Sequence, residues 1–230
     1  QNHFGVLETA AETLSDEAGL RQSALELGLS RYLAETHGHV VRSMPAKVME
    51  TTAYRHDFHG KRVLFNELAP IETRVFALGR TVAELSLRDE IGGLIAAMKL
   101  REPASEAMMR ATLTSYFAAA LMMPYARFSE AALETRHDLD ILQARFGASF
   151  EQVAHRLTTL QRPGTKALPF FLLRMDAAGN VSKRFSAGGF SFSRYGGACP
   201  AWSIVNAPQH PGNLGVDKVQ LPEGGEFLSL

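Results

Sequence analysis

The chain has 230 residues, 46% of them hydrophobic and 21% charged, which is enough to bury a full core as one large domain or two small ones. Lys plus Arg number 24 and Asp plus Glu number 24, so the formal charge is zero and the total excludes the whole-surface basic footprint of a nucleic-acid-binding domain. The single cysteine, Cys199, excludes an intrachain disulfide and any four-cysteine zinc or iron–sulfur site built by this chain alone. The longest apolar run, near Phe117 to Met123, is far too short to cross a bilayer, and no signal peptide precedes it. We therefore expect a cytoplasmic protein with no membrane partner. A first residue of Gln rather than Met leads us to expect a piece of something longer.

Phe4, Leu7, Ala11, Leu14 and Ala18 recur at helical spacing, and a second helix carrying Leu27, Leu29, Tyr32 and Leu33 should stop near Gly38. Val40-Val41, Val48 to Tyr54 and Arg62 to Phe65 read as short strands, the last two joined across His56-Asp57-Phe58-His59-Gly60. Pro70 and Glu72 suit the start of a helix running to Leu87. Another is expected over Arg88 to Leu100, with Gly92 allowing close packing, and a third from Pro103 to Met123, ended by Pro124. Ser129 can cap a helix that ends at Gly147, and Ser149-Phe150-Glu151-Gln152 has the form of a capping box opening a helix to Leu160.

Arg162-Pro163-Gly164 breaks the helical pattern, and strands with Gly-rich turns follow. An apolar strand from Pro169 turns at Asp176-Ala177-Ala178-Gly179-Asn180, returns through Val181 to Ser186, and is followed by a third strand alternating Phe190/Phe192 with Ser191/Ser193. Two more strands are expected over Leu214–Leu221 and Glu226–Leu230. Lys183 and Arg184 stand on the returning strand and point to opposite faces unless a bulge intervenes. Cations beside glycines whose backbone N–H groups can come close to a ligand, at Gly188-Gly189 and Gly196-Gly197, suggest an anion. The competing reading is a charged edge strand that discourages aggregation.

Leu139 to Leu160 forms a helix, a Gly-centred turn and a capped helix, the layout of a helix-turn-helix DNA reader, with Glu151, Gln152, His155 and Arg156 at its exposed positions. A helical hairpin packed on its neighbours has the same layout, and Asp138 and Asp140 would repel phosphates. His37/His39 and His56/His59 have ligand-like spacings of low specificity.

Arg74-Val75-Phe76-Ala77-Leu78-Gly79-Arg80-Thr81-Val82-Ala83-Glu84, following a small sheet, resembles the ImmA/IrrE type of zinc metallopeptidase, whose helix reads R-x-F-x-x-A-H-E-x-x-H. A second landmark of that family, F-A-x-x-L-L-M-P, is met by Phe117 to Pro124. The resemblance places Arg80 at the first His, Thr81 at the general-base Glu, Glu84 at the second His and Leu113 at the third ligand. The implication is a peptidase scaffold without its metal and without peptidase activity. A working metal-dependent peptidase remains the rival.

From about Leu33 to Trp202 the chain resembles the short-chain fatty acyl-CoA regulator family, in Ala118 to Tyr125, Arg145 to Gly164, Pro169-Phe170-Phe171, Asp176 to Arg184 and Gly196 to Trp202. That family joins an XRE-type helix-turn-helix module to a degenerate ImmA/IrrE-like domain and a β-rich portion. The fold class expected is α+β: a helical, degenerate zincin-like half with a small β-sheet over 1–162, then a β-rich ligand-binding half over 163–230. The resemblance implies a sensor of short-chain acyl-CoA, acting as a homo-oligomer and reaching promoter DNA through an N-terminal module absent from this chain. It implies no catalytic residue, no metal and no tightly bound cofactor. For the CoA phosphates the candidates are Lys183, Arg184 and Arg194 with Gly196 and Gly197, with Arg74 as a further anion contact. Tyr125, Phe170 and Phe171 are candidates to stack on the ligand or wall its acyl arm.

Overall fold

The computed structural model describes residues 2–20, 22–164, 168–176, 178, 180–187, 216–220 and 226–229. It divides into two compact units, Asn2–Ala167 and Leu168–Leu230. In the first unit, helices α1 (Gly5–Glu17) and α2 (Leu25–His37) lead into a sheet of β1 (Val40–Met44), β2 (Tyr54–Asp57) and β3 (Arg62–Asn66). Six helices follow: α4 (Ile71–Ser86), α5 (Arg88–Ala97), α6 (Pro103–Met122), α7 (Tyr125–Glu134), α8 (Leu139–Phe146) and α9 (Phe150–Thr158). A four-residue helix, α3 (Ala46–Met49), lies between β1 and β2.

The sheet order is β1-β3-β2, with β1 parallel and β2 antiparallel to β3. Val63 and Phe65, two apart on the central strand, share a face and are both fully buried. Helix α6 is the axis of the unit and packs against α1, α4 and α5. Its second half, including Leu113, Phe117, Ala118, Leu121 and Met122, is buried all round, as expected of a helix with neighbours on every side. Closest approach to α4 comes at Gly79, where an added Cβ would lie 3.0 Å from Ala118 Cβ and 3.1 Å from its Cα.

Helix ends are set by the residues expected to set them. Gly38 closes α2 in the left-handed conformation at φ +68°, which costs glycine little. Pro103 opens α6, and Ser149 and Gln152 form the full capping box of α9. Three expectations are corrected. No strand runs from Val48: Ala46–Met49 is helical, its first N–H donating to Glu67 Oε1 at 2.9 Å while Met49 is buried. The helix expected to begin at Ser129 and end at Gly147 is two helices, separated by left-handed Arg136 and His137, and Asp138 rather than Ser129 caps the second. Nor does Gly92 mediate close packing, since a Cβ there would meet nothing within 4 Å.

A fourth correction concerns Arg156, one of the residues expected at the exposed positions of a DNA reader. Arg156 is not at an exposed position of α9; it is 0% exposed and holds Glu8 with a two-pronged grip, Nη1 to Oε1 at 2.7 Å and Nη2 to Oε2 at 2.9 Å. Its Nε donates to Met123 O, and Tyr116 OH donates to Glu8 Oε1 at 2.6 Å. Burial disfavours the Glu8 charge, but Arg156 and Tyr116 overcome it and hold the carboxyl below its usual range. Gln152 is engaged as well, donating to Glu72 O. The α8–α9 pair is a helical hairpin whose charged residue ties α9 to α1.

In the second unit, β4 (Phe171–Met175) pairs antiparallel with β5 (Val181–Ser186), and β6 (Asp217–Gln220) with β7 (Glu226–Ser229). Asp176 makes the hairpin turn, its Oδ1 accepting from the N–H groups of Ala178 and Asn180. The third strand expected over Phe190–Ser193 lies outside the described residues. Among the described residues no helix is long and apolar enough to cross a membrane.

Candidate functional site

A strand and a helix of matching repeat build one wall of a cleft in the helical unit. Tyr54 and His56 are two apart on β2 and so share a face, roughly 7 Å apart; Arg80 and Glu84 are four apart on α4 and share a face, roughly 6 Å apart. The two pairs meet rung by rung. Arg80 Nη1 donates to Tyr54 OH at 3.0 Å, and His56 Nδ1 lies 3.3 Å from Glu84 Oε2. Phe58 covers the His56 ring at 3.8 Å between centroids, and the His39 ring meets it edge-on at 5.2 Å. Burial lowers the His56 pKa below the ordinary imidazole value against the opposing pull of Glu84. With the ring neutral, Nδ1 carries the proton and donates to the carboxylate.

Beyond this wall lies a cavity of about 500 Å³ lined by Phe58, Arg80, Ala83 and Glu84, by Arg88 and Ile91 of α5, and by Ala107, Arg110, Ala111 and Thr114 of α6. Its charges are three guanidiniums and one carboxylate. Thr81, next to Arg80, is buried and donates its hydroxyl to Ala77 O, so it is spent on the helix backbone. Leu113 is fully buried.

The other candidates are placed as follows. Arg74 pairs with Glu26 of α2 and lies over the Phe65 ring at 5.4 Å, away from the cavity lining. Tyr125 is 2% exposed, accepts from the Arg162 N–H at 2.9 Å and lies beneath the Arg162 guanidinium. Lys183 and Arg184 are exposed on β5. The bulge falls at Ser182, before them, so they keep consecutive register positions and opposite faces. Lys183 sits directly opposite Arg174 across the hairpin, and Arg184 opposite Leu173. Phe171, facing Ser186, shares Arg184's side, and Phe170 precedes β4 with its O accepting from the Ala187 N–H. Arg194, Gly196 and Gly197 lie outside the described residues, as do Gly188-Gly189 and Cys199. Of the histidine pairs, His37 Nε2 meets Ser86 Oγ at 2.8 Å, His39 is buried and His59 is exposed.

Sequence reasoning missed Arg88, Arg110 and Arg174. Arg110 precedes Leu113 by three and Thr114 by four on α6, so helical spacing places it on that face, whereas Arg88 opens the next helix after α4 and no spacing from Glu84 locates it. Counting back from the Asp176 turn pairs Arg174 with Ser182; only the bulge at Ser182 sets it opposite Lys183.

Residues 34–158, which contain the site-bearing helix and the three-stranded sheet, match the family described as IrrE N-terminal-like domain. Residues 159–230 match "Short-chain fatty acyl coenzyme A regulator, C-terminal". The chain is 36% identical over 229 residues to the HTH-type transcriptional regulator RamB of Mycobacterium tuberculosis, covering 99% of this chain and 48% of that protein. It is 35% identical over 229 residues to the propionyl-CoA carboxylase regulator of Cereibacter sphaeroides, covering 100% and 48%. A solved Mycobacterium tuberculosis transcriptional regulator superposes with a TM-score of 0.93 at 33% identity, over 99% of this chain and 69% of that one. The chain belongs to the short-chain fatty acyl-CoA regulator family, with an IrrE-like domain followed by that family's C-terminal domain. It spans about half the length of the curated relatives it matches.

The residues at the old metal position do not fit a zinc ion. Zinc needs deprotonated N, O or S donors converging on it, whereas Arg80 is a permanent cation without an acceptor and Leu113 has no donor. Glu84 is turned to His56, and among the described residues no three His, Cys, Asp or Glu side chains converge to hold a metal.

Proposed function

We propose that this chain is the effector-sensing portion of a bacterial transcriptional regulator. It binds a short-chain acyl-CoA and passes its occupancy to a DNA-binding module elsewhere in a longer protein. RamB and a second relative from Mycobacterium tuberculosis, PrpR, are named as HTH-type transcriptional regulators, and the relatives' extra length leaves room for such a module. On this reading the chain catalyses nothing, acts in the cytoplasm as a homo-oligomer and holds no tightly bound cofactor.

One observation carries the ligand assignment: within the stretch that matches the acyl-CoA regulator C-terminal domain, the hairpin sets Arg174 directly opposite Lys183, with Arg184 next along the strand. Like charges facing each other across a hairpin repel, and an anion bound between them would be held by both. The 3′-phosphate and diphosphate of CoA supply one, and Phe170 and Phe171 stand at the start of β4 to wall the acyl arm; Arg194, Gly196 and Gly197 are further phosphate candidates from the sequence alone. Tyr125 and Arg74, already committed to packing within the helical unit, are left out. For occupancy to signal, the ligand must bind one arrangement of the protein better than another, since equal affinity shifts nothing.

The test is calorimetric titration of propionyl-CoA and acetyl-CoA into wild type, Arg184→Ala, Lys183→Ala and the exposed control Lys47→Ala. A cation on a charged partner contributes about 1.5–3 kcal/mol, so the variant on the ligand's face weakens binding roughly tenfold to a hundredfold, a comparable loss in both requires a ligand wrapped round the strand, and the control is unchanged. Unchanged affinity in both, with the circular dichroism of wild type, returns the strand to the role of a charged edge.

A further inference from the structure

The cavity of the helical unit carries positive charge that the fold does not use. Arg80, Arg88 and Arg110 line it, and among the described residues none of them pairs with a carboxylate. Its one acid, Glu84, already accepts from His56. Arg80 gives Nη1 to Tyr54 OH, while its Nε is buried without a partner. A buried N–H without an acceptor is a cost that folding normally avoids, and it is relieved when an oxygen arrives. The rest of the lining is Thr114, whose hydroxyl donates to Ala111 O, and the apolar Phe58, Ala83, Ile91, Ala107 and Ala111. At about 500 Å³ the space falls in the range of small-molecule sites.

Arg80 stands where the metallopeptidase pattern has a zinc ligand. A fixed guanidinium there keeps a positive charge in the cleft without needing an ion, and its planar fork suits two oxygens of one acid group. Arg88 and Arg110 are more exposed than Arg80 and bring two further forks from neighbouring helices. The ligand that satisfies both the guanidiniums and the apolar wall has an acid group at one end and a few carbons at the other.

We propose that this cleft binds an oxyanion carrying a short apolar arm, a carboxylate or a phosphate monoester, held by Arg80, Arg88 and Arg110. It is a second anion site, built wholly within the helical unit and independent of the hairpin cations.

The test titrates the full chain with propionate, propyl phosphate and inorganic phosphate, followed by NMR. The proteins are wild type, Arg88→Gln, Arg110→Gln, the double variant and Arg184→Ala. Both cleft arginines are exposed, so the variants keep the fold, which circular dichroism checks. The expected result is saturable binding of at least one organic probe, weakened about tenfold by each single substitution, abolished in the double variant and unchanged in Arg184→Ala. Propionate binding more tightly identifies a carboxylate ligand; propyl phosphate binding more tightly identifies a phosphate ester. Failure of both organic probes to saturate overturns the proposal, as does undiminished affinity in the double variant or an affinity for inorganic phosphate equal to that for the tighter organic probe. Acyl-CoA failing to bind while an organic probe binds through Arg88 and Arg110 defeats the hairpin reading alone.

Discussion

Arg156 and Arg80 sit in the same helical unit and teach opposite lessons. Arg156 is fully buried, yet its donors are matched by Glu8, Met123 O and Thr159 Oγ1, so its charge is cancelled and its geometry closed. Arg80 is half-buried beside a cavity, donates to one phenol, and leaves its Nε buried without a partner. Depth alone does not separate a structural arginine from one available to a ligand; the state of its hydrogen-bonding account does. The helical unit spends its deepest cation on joining α9 to α1 and keeps its surplus at the cleft.

The comparison breaks most sharply at Arg156. Arg156→Met leaves the Glu8 carboxylate buried with only Tyr116 for support, and removing one partner of a buried pair costs about 3–5 kcal/mol. The expected outcome in urea denaturation is a large fall in the midpoint. The double variant Glu8→Met/Arg156→Met recovers much of it, since apolar residues of similar volume often replace a buried pair at little cost. A single variant as stable as wild type would mean that the pair contributes no more than an exposed one.

This contrast also marks where the sequence was legible. The helices of the first unit could be read because their apolar spacing agrees with their punctuation, at Gly38, Pro103, Pro124, Gly147 and the Ser149–Gln152 box. What failed depended on partners distant along the chain. Ala46–Met49 is helical partly because Glu67, 21 positions on, accepts its first N–H. The break before Asp138 uses left-handed Arg136 and His137, where neither glycine nor proline announces a turn. Arg156 read as an exposed residue of a last turn because its acceptor, Glu8, lies 148 positions away. Arg80 and Glu84 were legible from the helix motif alone, but the pairing of His56 with Glu84 was found only when β2 was laid against α4. In the hairpin, register exposed what composition hid: Lys183 has a cation opposite it.

Acidification probes the unit at intermediate size, because partly buried imidazoles stand both at the cleft wall, at His56, and beside the Arg156 core, at His3. His3, His37, His56 and His137 all have pKa values below the ordinary imidazole value, with burial the leading cause in each. As pH falls through about 6.5, the unfolded chain takes up protons before the folded one, so the unfolded state binds more and stability falls. The loss begins near that value and continues down towards the lowered folded values. Glu8 and Asp57, both held below the usual carboxylate range, lose their contributions only at still lower pH. The melting temperature should therefore drop between pH 7.5 and about pH 5.5, and His56→Gln should flatten that slope. A melting temperature that holds or rises over this interval would show that the imidazoles are solvated and the cleft wall is loose.

The smallest effect separates the two faces of the cleft scaffold, α4 against α6 and α5 against solvent. Gly79 and Gly92 are both glycines within helices and look alike in sequence, but only Gly79 has a neighbour, with Ala118 Cα 3.1 Å from where its Cβ would be. Gly79→Val drives two branched carbons into the α6 backbone, and the overpacking should cost about 1–3 kcal/mol. Gly92→Ala meets nothing within 4 Å and gains the better helix propensity of alanine, so it should stabilise by about 0.5–1 kcal/mol. The two measurements belong on one chemical denaturation series, where the variants should move the midpoint in opposite directions with the slope unchanged. If both variants destabilise, α5 carries a constraint at Gly92 that its open surroundings do not reveal. If both are neutral, α4 and α6 can slide apart, and a cleft formed between α4, α5 and α6 could not hold three guanidiniums in register on one anion.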